Sequence, residues 1–351
     1  MKKINLLHII TGLGVGGAER VVLDLVKNSN QEKFNVSVVS LSKRNEMLKR
    51  FIGINIDVKT LNGSKNINDL VKMVAAVNRH IKSHRIQIIH AHMTHSLILS
   101  VLIKLMNPAV KLVFTSHNIS FGSVYKNIII YFLKVFRSKD ILFSTEQESR
   151  IYKKNFEIIP NGVHVNSYKA SEVKYEKFTF ISVGRLEKQK NQLNLIDSAI
   201  YLKNKGCEFQ ILIAGDGYLR KSIEKLIADN QLQDYVILLG LRSDIPTLLS
   251  KSHIFVMPSL WEGLPIVLLE AAASSLPIIS TPVGTIPSLI DENAGYLSSI
   301  DAFPKAMLGV ISNYGEAQKK SHILHRKVVD NYSIENITRK HESLYTSLIY
   351  E

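Results

Sequence analysis

The sequence predicts an α/β protein made of two doubly wound domains, each built on a parallel sheet. Three observations support this prediction. The length of 351 residues suits about two domains, strand-like and helix-like segments alternate along the chain, and a polar stretch at 166–171 interrupts that alternation once. Repeats of strand, helix and strand favour parallel strands joined by crossover helices.

Short apolar runs define the predicted strands, and helix-like stretches lie between them. The first series of strands is 4–10, 36–41, 86–91, 110–116, 140–144 and 156–160; the second is 178–183, 209–214, 236–239, 254–257 and 278–281. We therefore predict an N-terminal domain over 1–164, a C-terminal domain over 165–332 and a last helix over 333–351. Ser333 suits the N-cap of that helix, whose apolar face could pack back against the N-terminal domain.

Composition narrows the class of protein. The single cysteine, Cys207, excludes an internal disulfide and is compatible with a reducing compartment. The apolar run that follows Lys2 and Lys3 passes into a glycine loop rather than a cleavage site, and none reaches the roughly 20 residues of a spanning helix. These features predict a cytoplasmic protein.

The net charge of +14 is carried by the first half of the chain. Up to Val165 there are 24 Lys and Arg against 10 Asp and Glu, and after it 20 against 20. Such a bias predicts an anionic partner for the first half, either nucleic acid, a membrane surface or an anionic small molecule, unless it is simply a solvated basic surface. No helix-turn-helix, zinc pattern or aromatic-basic sheet motif supports nucleic acid.

The stretch 255–275 concentrates unusual chemistry. An apolar strand ends at Met257, a turn follows, and Pro265 opens a helix that is apolar almost all round. Glu262 lies in the turn and Glu270 on the helix. Because an unpaired buried charge is costly, these carboxylates indicate a polar ligand at the carboxyl end of the strand, where open α/β sheets bind ligands. Alternatively, Glu270 reaches solvent at the helix edge.

A glycine pattern follows the first predicted strand. Gly12, Gly14 and Gly17 satisfy G-x-G-x-x-G, which lets backbone amides approach a phosphate at a helix N-terminus. No Asp or Glu follows the second strand to bind the ribose of NAD, but Lys43 and Arg44 suit the extra phosphate of NADP. An NADP-dependent oxidoreductase is therefore an alternative function.

A basic turn follows the first strand of the second series. It contains Arg185, Lys188 and Lys190 after Gly184. Arginine can bind two phosphate oxygens and lysine acts as a point charge, so this turn suits a diphosphate. A solvated basic turn is the alternative.

The order of several short motifs carries a family resemblance. They are GGAER at 16–20, TSHN at 115–118, IPNGV at 159–163, GRLEKQKN at 184–191, AGDG at 214–217 and EGLPIVLLE at 262–270. Together they resemble the retaining glycosyltransferases of family 4. That resemblance implies the GT-B fold, two Rossmann-like domains facing a cleft, and a nucleotide diphosphate sugar as donor.

The resemblance implies roles for residues of the second domain. Glu270 matches the carboxylate that holds the ribose hydroxyls, and Glu262 matches the carboxylate that contacts the transferred sugar. Arg185 and Lys190 match the cations that offset charge on the diphosphate leaving group. Three residues at the start of the helix would offer backbone groups near sugar or phosphate: Leu264, Ile266 and Val267.

In the first domain, the resemblance places Gly16 and Gly17 at the same phosphates across the cleft and His117 beside the donor sugar and phosphate. Asn118 departs from the pattern, since relatives often carry Asp there, and is an acceptor-side candidate. His92 and His95, in the H-x-H-x-x-H pattern that begins at His90, are further acceptor-side candidates or caps of the next helix. A metal site would need another ligand.

The sequence also bears on the metal dependence and on the route of the reaction. The chain has no Asp-x-Asp, the usual metal clamp of the other major glycosyltransferase fold, so we expect a metal-independent reaction without cofactors. Glu262 is the carboxylate available for a covalent route. Same-face attack guided by the donor phosphate is the alternative.

The stretch 124–137 combines an apolar stripe with Lys126, Lys134 and Arg137. This composition is typical of a helix that lies on an anionic membrane, although a buried crossover helix has the same periodicity. We expect a cytoplasmic enzyme, peripheral at the inner face of the membrane. It would transfer a hexosyl or N-acetylhexosaminyl group from a UDP-sugar to a saccharide, or lipid-diphosphate-linked saccharide, of a bacterial capsule or O-antigen.

Overall fold

The computed structural model describes residues 2–14, 16–64, 66–117, 124–144, 149 and 151–350. The chain divides into two compact units. Unit 1 comprises residues 1–162 and 334–351, and unit 2 comprises residues 163–333. The predicted domain boundary was 164/165, and the last helix belongs to unit 1.

Unit 1 contains a parallel sheet whose seven described strands have the order β3-β2-β1-β4-β5-β6-β7. The strands are β1 (Ile4–Ile10), β2 (Phe34–Ser40), β3 (Asp57–Thr60), β4 (Ile88–His92), β5 (Lys111–Thr115), β6 (Lys139–Leu142) and β7 (Glu157–Ile158). Its helices are α1 (Gly17–Asn28), α2 (Leu48–Ile52), α3 (Ile67–His84), α4 (Thr94–Met106), α5 (Val124–Phe132) and, after unit 2, α13 (Ile334–Tyr350).

Unit 2 repeats this plan in a six-stranded parallel sheet of order β10-β9-β8-β11-β12-β13. The strands are β8 (Phe178–Val183), β9 (Phe209–Ala214), β10 (Val236–Gly240), β11 (Ile254–Met257), β12 (Ile278–Ser280) and β13 (Tyr296–Leu297). Its helices are α6 (Leu193–Asn204), α7 (Arg220–Asp229), α8 (Ile245–Lys251), α9 (Ile266–Ala273), α10 (Ile286–Leu289), α11 (Phe303–Ser312) and α12 (Tyr314–Tyr332).

The central strands of both sheets are buried on both faces, which explains their continuous apolar runs. In each sheet the strand order reverses next to the first strand, between β1 and β4 in unit 1 and between β8 and β11 in unit 2. Ligands of open α/β sheets bind beyond the carboxyl ends of the strands at such a switch point. The fold therefore indicates where each unit can hold a ligand.

An edge strand and a buried cation are among the features of unit 1 that differ from the sequence predictions, as is the short helix α2, which was not predicted. The edge strand β3 was not predicted, because its side chains alternate between exposed and half-buried and include no apolar run. Arg137 was predicted as a surface cation, but it is fully buried. Its Nη1 lies 3.1 Å from Asp140 Oδ1, and its guanidinium lies over the ring of Phe114. An acid three residues along the chain draws this cation inward.

The last helix completes the core of unit 1. Ile334, Ile337, Leu344 and Tyr345 are buried along it, as the apolar face in the sequence predicted. The Glu342 carboxylate accepts a hydrogen bond from the backbone N–H of Asn30 at 2.6 Å. Within the described part of the chain, no helix has the length and hydropathy to cross a bilayer.

Candidate active site

The switch point of unit 2 brings together two residues that are 72 positions apart in the sequence. Lys190 follows β8 and Glu262 follows β11, and these strands are neighbours in the sheet. The Lys190 Nζ lies 2.6 Å from Glu262 Oε1, and both side chains are largely buried. The structure therefore joins a predicted diphosphate-binding cation to a predicted sugar-binding carboxylate.

Glu262 is held by neutral donors as well as by this cation. Ser259 Oγ donates to Oε1 at 2.8 Å, and Gln189 Nε2 donates to Oε2 at 3.3 Å. With three donors on two oxygens, the carboxylate is fixed in position and its charge is dispersed. Such a group suits a hydrogen bond from a substrate hydroxyl better than nucleophilic attack.

The backbone under Glu262 is fixed by close packing against Gly284. Gly284 has a left-handed φ of 61°, and a Cβ there would lie 2.2 Å from the carbonyl oxygen of Glu262. Thr285 Oγ1 donates to the carbonyl oxygen of Gly263 at 3.0 Å. The turn that carries Glu262 is therefore supported by the segment that follows β12.

Glu270 lies one helix turn into α9 and is half-buried. The Tyr168 hydroxyl donates a short hydrogen bond to its Oε1. This contact fixes the carboxylate without adding a second charge. Leu264, Ile266 and Val267 lie at the start of the same helix, where first-turn N–H groups have no partner inside the helix and favour anions.

Arg185 lies on the exposed side of the basic turn. Its Nη1 is 3.0 Å from Glu187 Oε1, so the structure pairs it with a neighbour rather than with Glu262. The turn itself is tightly packed: a Cβ at Gly215, whose φ is 141°, would lie 1.9 Å from the carbonyl oxygen of Gly184. This packing fixes the backbone from which Arg185 projects.

In unit 1, the glycine loop leads from β1 into α1. Gly16 is the N-cap of α1 in an extended conformation, and Gly17 is its first residue. A Cβ at Gly16 would lie 2.5 Å from Glu19 Oε2, whereas a Cβ at Gly17 would meet no atom within 4 Å. Gly17 therefore leaves space at a helix N-terminus, as a phosphate-binding loop requires.

Four histidines, on or just after the neighbouring strands β1, β4 and β5, lie together. The parallel register places His8 of β1 beside His90 of β4, and His92 beside Thr115 of β5. His8 Nδ1 lies 2.9 Å from His92 Nε2, and His92 Nδ1 lies 2.9 Å from His117 Nε2. We call His8, His92 and His117 the histidine chain.

His90 belongs to a second set of contacts that reaches the last helix. Its Nε2 lies 2.8 Å from Thr115 Oγ1, and its Nδ1 lies 2.7 Å from the hydroxyl of Tyr345 on α13. The same hydroxyl is 3.4 Å from Nδ1 of His341. Both nitrogens of His90 are therefore in hydrogen bonds.

Burial keeps these imidazoles neutral. Desolvation lowers the pKa of His8, His117 and His341 to about 3. It lowers the pKa of His90 and His92 well below the usual value, and their histidine neighbours lower it further. At neutral pH each ring therefore carries one N–H and one lone pair.

The three acceptor-side candidates differ in burial and in whether the structure describes them. His92 is fully buried with both nitrogens in hydrogen bonds, which argues against a direct contact with an acceptor. His95 is exposed in the first turn of α4. Asn118 lies outside the described residues. A cavity of about 10 Å³ beside His92, His117 and His341 has room for about one water and none for a sugar.

Two sequence profiles match the chain in succession. The profile described as Glycosyltransferase Family 4 matches residues 15–167, and the profile described as Glycosyl transferases group 1 matches residues 166–324. The chain belongs to glycosyltransferase family 4. This finding confirms the predicted family and decides against the oxidoreductase alternative.

Curated relatives of this family 4 protein cover most of its length. A UDP-Gal:α-D-GlcNAc-diphosphoundecaprenol α-1,3-galactosyltransferase of Escherichia coli is 26% identical over 99% of this chain and 98% of its own. The putative glycosyltransferase EpsF of Bacillus subtilis (strain 168) is 28% identical over 84% of this chain and 83% of its own.

Solved structures share the fold at lower identity. Alr3699/HepE of Anabaena, in complex with UDP and glucose, aligns with a TM-score of 0.85 at 19% identity, over 98% of this chain and all of that one. A glycosyltransferase from Rickettsia africae ESF-5 aligns with a TM-score of 0.83 at 19% identity over the full length of both. The two Rossmann-like units therefore confirm the predicted GT-B fold.

Sequence reasoning missed several residues that contact the predicted ones, among them Tyr168, Ser259 and His8. Tyr168 lies in the polar stretch that interrupts the alternation of strands and helices, Ser259 lies in the turn before Glu262, and His8 is an isolated histidine on a strand. Ser259 has a local signal, since it precedes Glu262 by three residues. Tyr168 and His8 contact residues 102 and 84 positions away, for which one sequence offers no signal.

Proposed function

We propose that this glycosyltransferase transfers a hexosyl or N-acetylhexosaminyl group, with retention, from a UDP-sugar to a lipid-diphosphate-linked saccharide in bacterial surface polysaccharide synthesis. The Escherichia coli relative is named for such a donor and such an acceptor, and the structure of Alr3699/HepE contains UDP and glucose. Both support the proposal.

The observation that carries the proposal is the placement of Lys190, Glu262 and Glu270 around the switch point of unit 2. A nucleotide diphosphate sugar needs a cation for its phosphates and acceptors for its hydroxyls. Lys190 and Glu262 lie in contact, and Glu270 projects from the helix that begins just after Glu262. In this proposal Glu270 accepts from ribose hydroxyls and Glu262 from a hydroxyl of the transferred sugar.

The charge that develops on the leaving diphosphate would be stabilised by Arg185, Lys190 and the N-terminus of α9. Two side-chain cations and the backbone N–H groups can stabilise the negative charge of the diphosphate without a metal ion. We therefore propose a metal-independent reaction. Chelation with EDTA should then leave the initial rate unchanged. A rate that falls with EDTA and recovers with added Mg²⁺ would contradict metal independence.

Retention would follow from attack of the acceptor on the face that the diphosphate leaves. Three donors hold both oxygens of Glu262, and a carboxylate with this many hydrogen bonds is a weak nucleophile. We therefore favour same-face attack over a covalent intermediate on Glu262. His117, the other residue with a proposed catalytic role, would contact the donor sugar.

A thermal-shift panel of UDP, GDP, UDP-glucose and UDP-galactose tests the donor site. Ligands that bind only the native state raise its melting temperature by mass action. We expect UDP and at least one UDP-sugar to protect the wild type, and Glu270→Ala to lose most of that protection. Tyr168→Phe, which removes only the hydroxyl on Glu270, should lose less.

The matched control is Glu208→Ala, which removes an exposed glutamate just before β9, at the opposite end of the same sheet. This variant should keep the full UDP shift. Equal protection of wild type and Glu270→Ala would show that Glu270 does not hold the nucleotide. Protection by none of the four nucleotides would contradict the donor proposed here.

We also propose that unit 1 contacts an anionic membrane through an apolar patch. The patch comprises Tyr125, Ile128, Ile129, Phe132 and Val135, all exposed on α5 and the 3₁₀ turn that follows it. Unit 1 has 26 Lys and Arg against 13 Asp and Glu, whereas unit 2 has 18 against 17. Apolar side chains that enter the interface and an excess of surface cations both favour anionic lipid.

Flotation with phosphatidylglycerol vesicles tests the membrane contact. Wild type should float at low salt, and Phe132→Glu with Val135→Glu should float much less. Val173→Glu, at a valine of unit 2 with similar exposure, is the control and should float like wild type. Failure of wild type to float at any ionic strength would contradict the proposal.

A further inference from the structure

The histidine chain in unit 1 joins a partly exposed residue to the interior. His117 follows β5 and is partly exposed, whereas His92 and His8 are buried on β4 and β1. We propose that His8 and His92 are positioning residues whose tautomers are coupled to that of His117, so that the three rings can change tautomer only together. This inference rests on the proposed function in one respect, namely that His117 contacts the donor.

Hydrogen-bond counting gives the chain only two arrangements. Each neutral ring has one N–H, and each of the two contacts needs one donor. If His92 donates from Nδ1, then His117 accepts at Nε2 and His8 donates from Nδ1, so all three rings are protonated at Nδ1. If His92 donates from Nε2, the same reasoning protonates all three rings at Nε2. The three rings therefore share one tautomer.

The backbone holds this geometry against local preference. His117 has a φ of 57°, and Met93, which follows His92, has a φ of 73° with a ψ of 167°. Both values are uncommon for residues other than glycine, and such strained positions cluster at functional sites. Met93 N–H donates to the carbonyl oxygen of Thr115 at 3.0 Å, which ties the end of β4 to that of β5.

A metal site is a weaker explanation of the same cluster. Nitrogens of His8, His90 and His92 lie within 4.8 Å of one another, as three ligands could. However, both nitrogens of His90 and both of His92 are already in hydrogen bonds of 2.7 to 2.9 Å. Coordination would break several of these contacts at once.

The coupling has a direct consequence for ligand binding at His117. Its Nδ1 is the nitrogen that the chain does not use, and it is a donor in one set and an acceptor in the other. A phosphate oxygen accepts hydrogen bonds, so a bound nucleotide diphosphate selects the set protonated at Nδ1. Conversion of the Nε2 set into the Nδ1 set begins when water gives a proton to His117 Nδ1. The proton on His117 Nε2 then moves to His92 Nδ1, and the proton on His92 Nε2 moves to His8 Nδ1. Finally, His8 Nε2 releases its proton to water.

Nitrogen-15 NMR of histidine-labelled wild type tests the chain without any assay of transfer. The two ring nitrogens have different shifts when one is protonated, so each tautomer can be assigned. We expect His8, His92 and His117 to share one tautomer, and to be protonated at Nδ1 after addition of UDP. A mixed set of tautomers among the three rings would overturn the proposal.

Substitutions of His92 separate its two contacts. An asparagine amide approximates the position of Nδ1 and a glutamine amide that of Nε2, so His92→Asn can keep the contact to His117 and His92→Gln only the contact to His8. We expect His92→Gln to lower kcat at least about tenfold, the kind of loss that a wrong tautomer causes, and His92→Asn to lower it less, with KM changed little in both.

His84→Gln is the control, since His84 lies at the end of α3 with an exposed side chain, and its kcat should be that of wild type. Equal kcat for the two His92 variants, at equal melting temperature, would overturn the positioning role. If either variant fails to fold, the NMR experiment on wild type still decides. Absence of sugar transfer by the wild type would contradict the proposed function. The NMR experiment would still show whether the three histidines share one tautomer, because it does not depend on transfer.

Discussion

Units 1 and 2 have the same strand order around their switch points but opposite chemistry there. In unit 2 a lysine and a glutamate are in contact, and a second glutamate is held by a tyrosine. In unit 1 the corresponding strand ends carry histidines that burial keeps neutral. The fold determines where a ligand can bind. The residues at the strand ends determine whether the ligand contacts charged side chains or neutral hydrogen-bonding groups.

This contrast also separates net charge from site charge. Unit 1 carries nearly the whole positive excess of the protein, yet the histidines at its switch point are uncharged at neutral pH. The excess therefore belongs to its surface. The count of charged residues in a sequence can therefore predict an anionic partner for a protein surface. It does not predict the charge within a binding site.

Acidification should have the largest effect, and it should act mainly on unit 1. Burial lowers the pKa of five histidines of unit 1, so their contribution to stability is complete above the ordinary histidine pKa of about 6.5 and is lost as pH falls towards the folded pKa, which is about 3 for three of them. The five are His8, His90, His92, His117 and His341. At pH 5.5 the loss is about 1 kcal/mol per histidine. Burial also lowers the pKa of His253 in unit 2, so a smaller loss is expected there.

Hydrogen exchange at pH 7.0 and 5.5, corrected for the intrinsic rate, measures this difference by region. Protection should fall more in β1, β4 and β5 than in β8, β9 and β11. An equal fall in both units would remove the contrast drawn here between neutral and charged sites.

Lys190→Met should have the next largest effect, on catalysis. Loss of one preorganised cation typically costs about 10²- to 10³-fold in kcat, and Glu262 would remain buried without its charged partner, which also lowers stability. Steady-state rates and melting temperatures measure both consequences. Lys177→Met, at an exposed lysine just before β8 and therefore at the opposite end of that strand, should keep the wild-type rate.

Lys190→Arg covers the case in which the methionine variant does not fold. It keeps the charge but changes its shape and reach. We expect a folded protein with a rate between those of wild type and Lys190→Met. A wild-type rate in Lys190→Met, or a rate in Lys190→Arg below that of a folded Lys190→Met, would show that the charge at this position does not act on the diphosphate.

The smallest effect is expected from two glycines with matched surroundings. Gly17 in α1 and Gly309 in α11 are both helical, and a Cβ at either would meet no atom within 4 Å. Alanine should therefore raise the free energy of unfolding by no more than about 1 kcal/mol at each position. Urea denaturation measures this change.

The two glycines should differ in kinetics. Gly17→Ala should raise KM for the donor, because the added methyl group lies where a phosphate is expected to approach the backbone. Gly309→Ala, which lies outside the proposed site, should not. Equal donor KM values in the two variants would show that unit 1 does not use this loop to bind phosphate.

Local patterns in the sequence were enough for most of the fold. Apolar runs located the central strands, and the polar segment near residue 166 lies close to the division between the units at 162/163. Pro265 correctly marked the start of α9, of which it is the N-cap. Strand β3 was missed, because an edge strand with half its side chains in solvent has no apolar run.

The site was predictable where its residues share a local motif. Glu262 lies in the turn just before α9 and Glu270 lies on α9 itself, so both belong to one short motif. Lys190 lies in a separate turn that is rich in basic residues. The histidine chain was not predictable, because the contact between His8 and His92 depends on the parallel register of β1 and β4. Arg137 was misassigned because periodicity does not reveal a buried partner.

The place of α13 in unit 1 constrains how the protein can be made. Tyr345, which contacts His90, and the buried Ile334 and Ile337 reach the ribosome exit only after all of unit 2 has been synthesised. Domains generally fold as units during synthesis, so unit 2 can fold while unit 1 still lacks its final helix. Until α13 has been synthesised, the N-terminal 162 residues would expose part of their apolar surface and could bind chaperones.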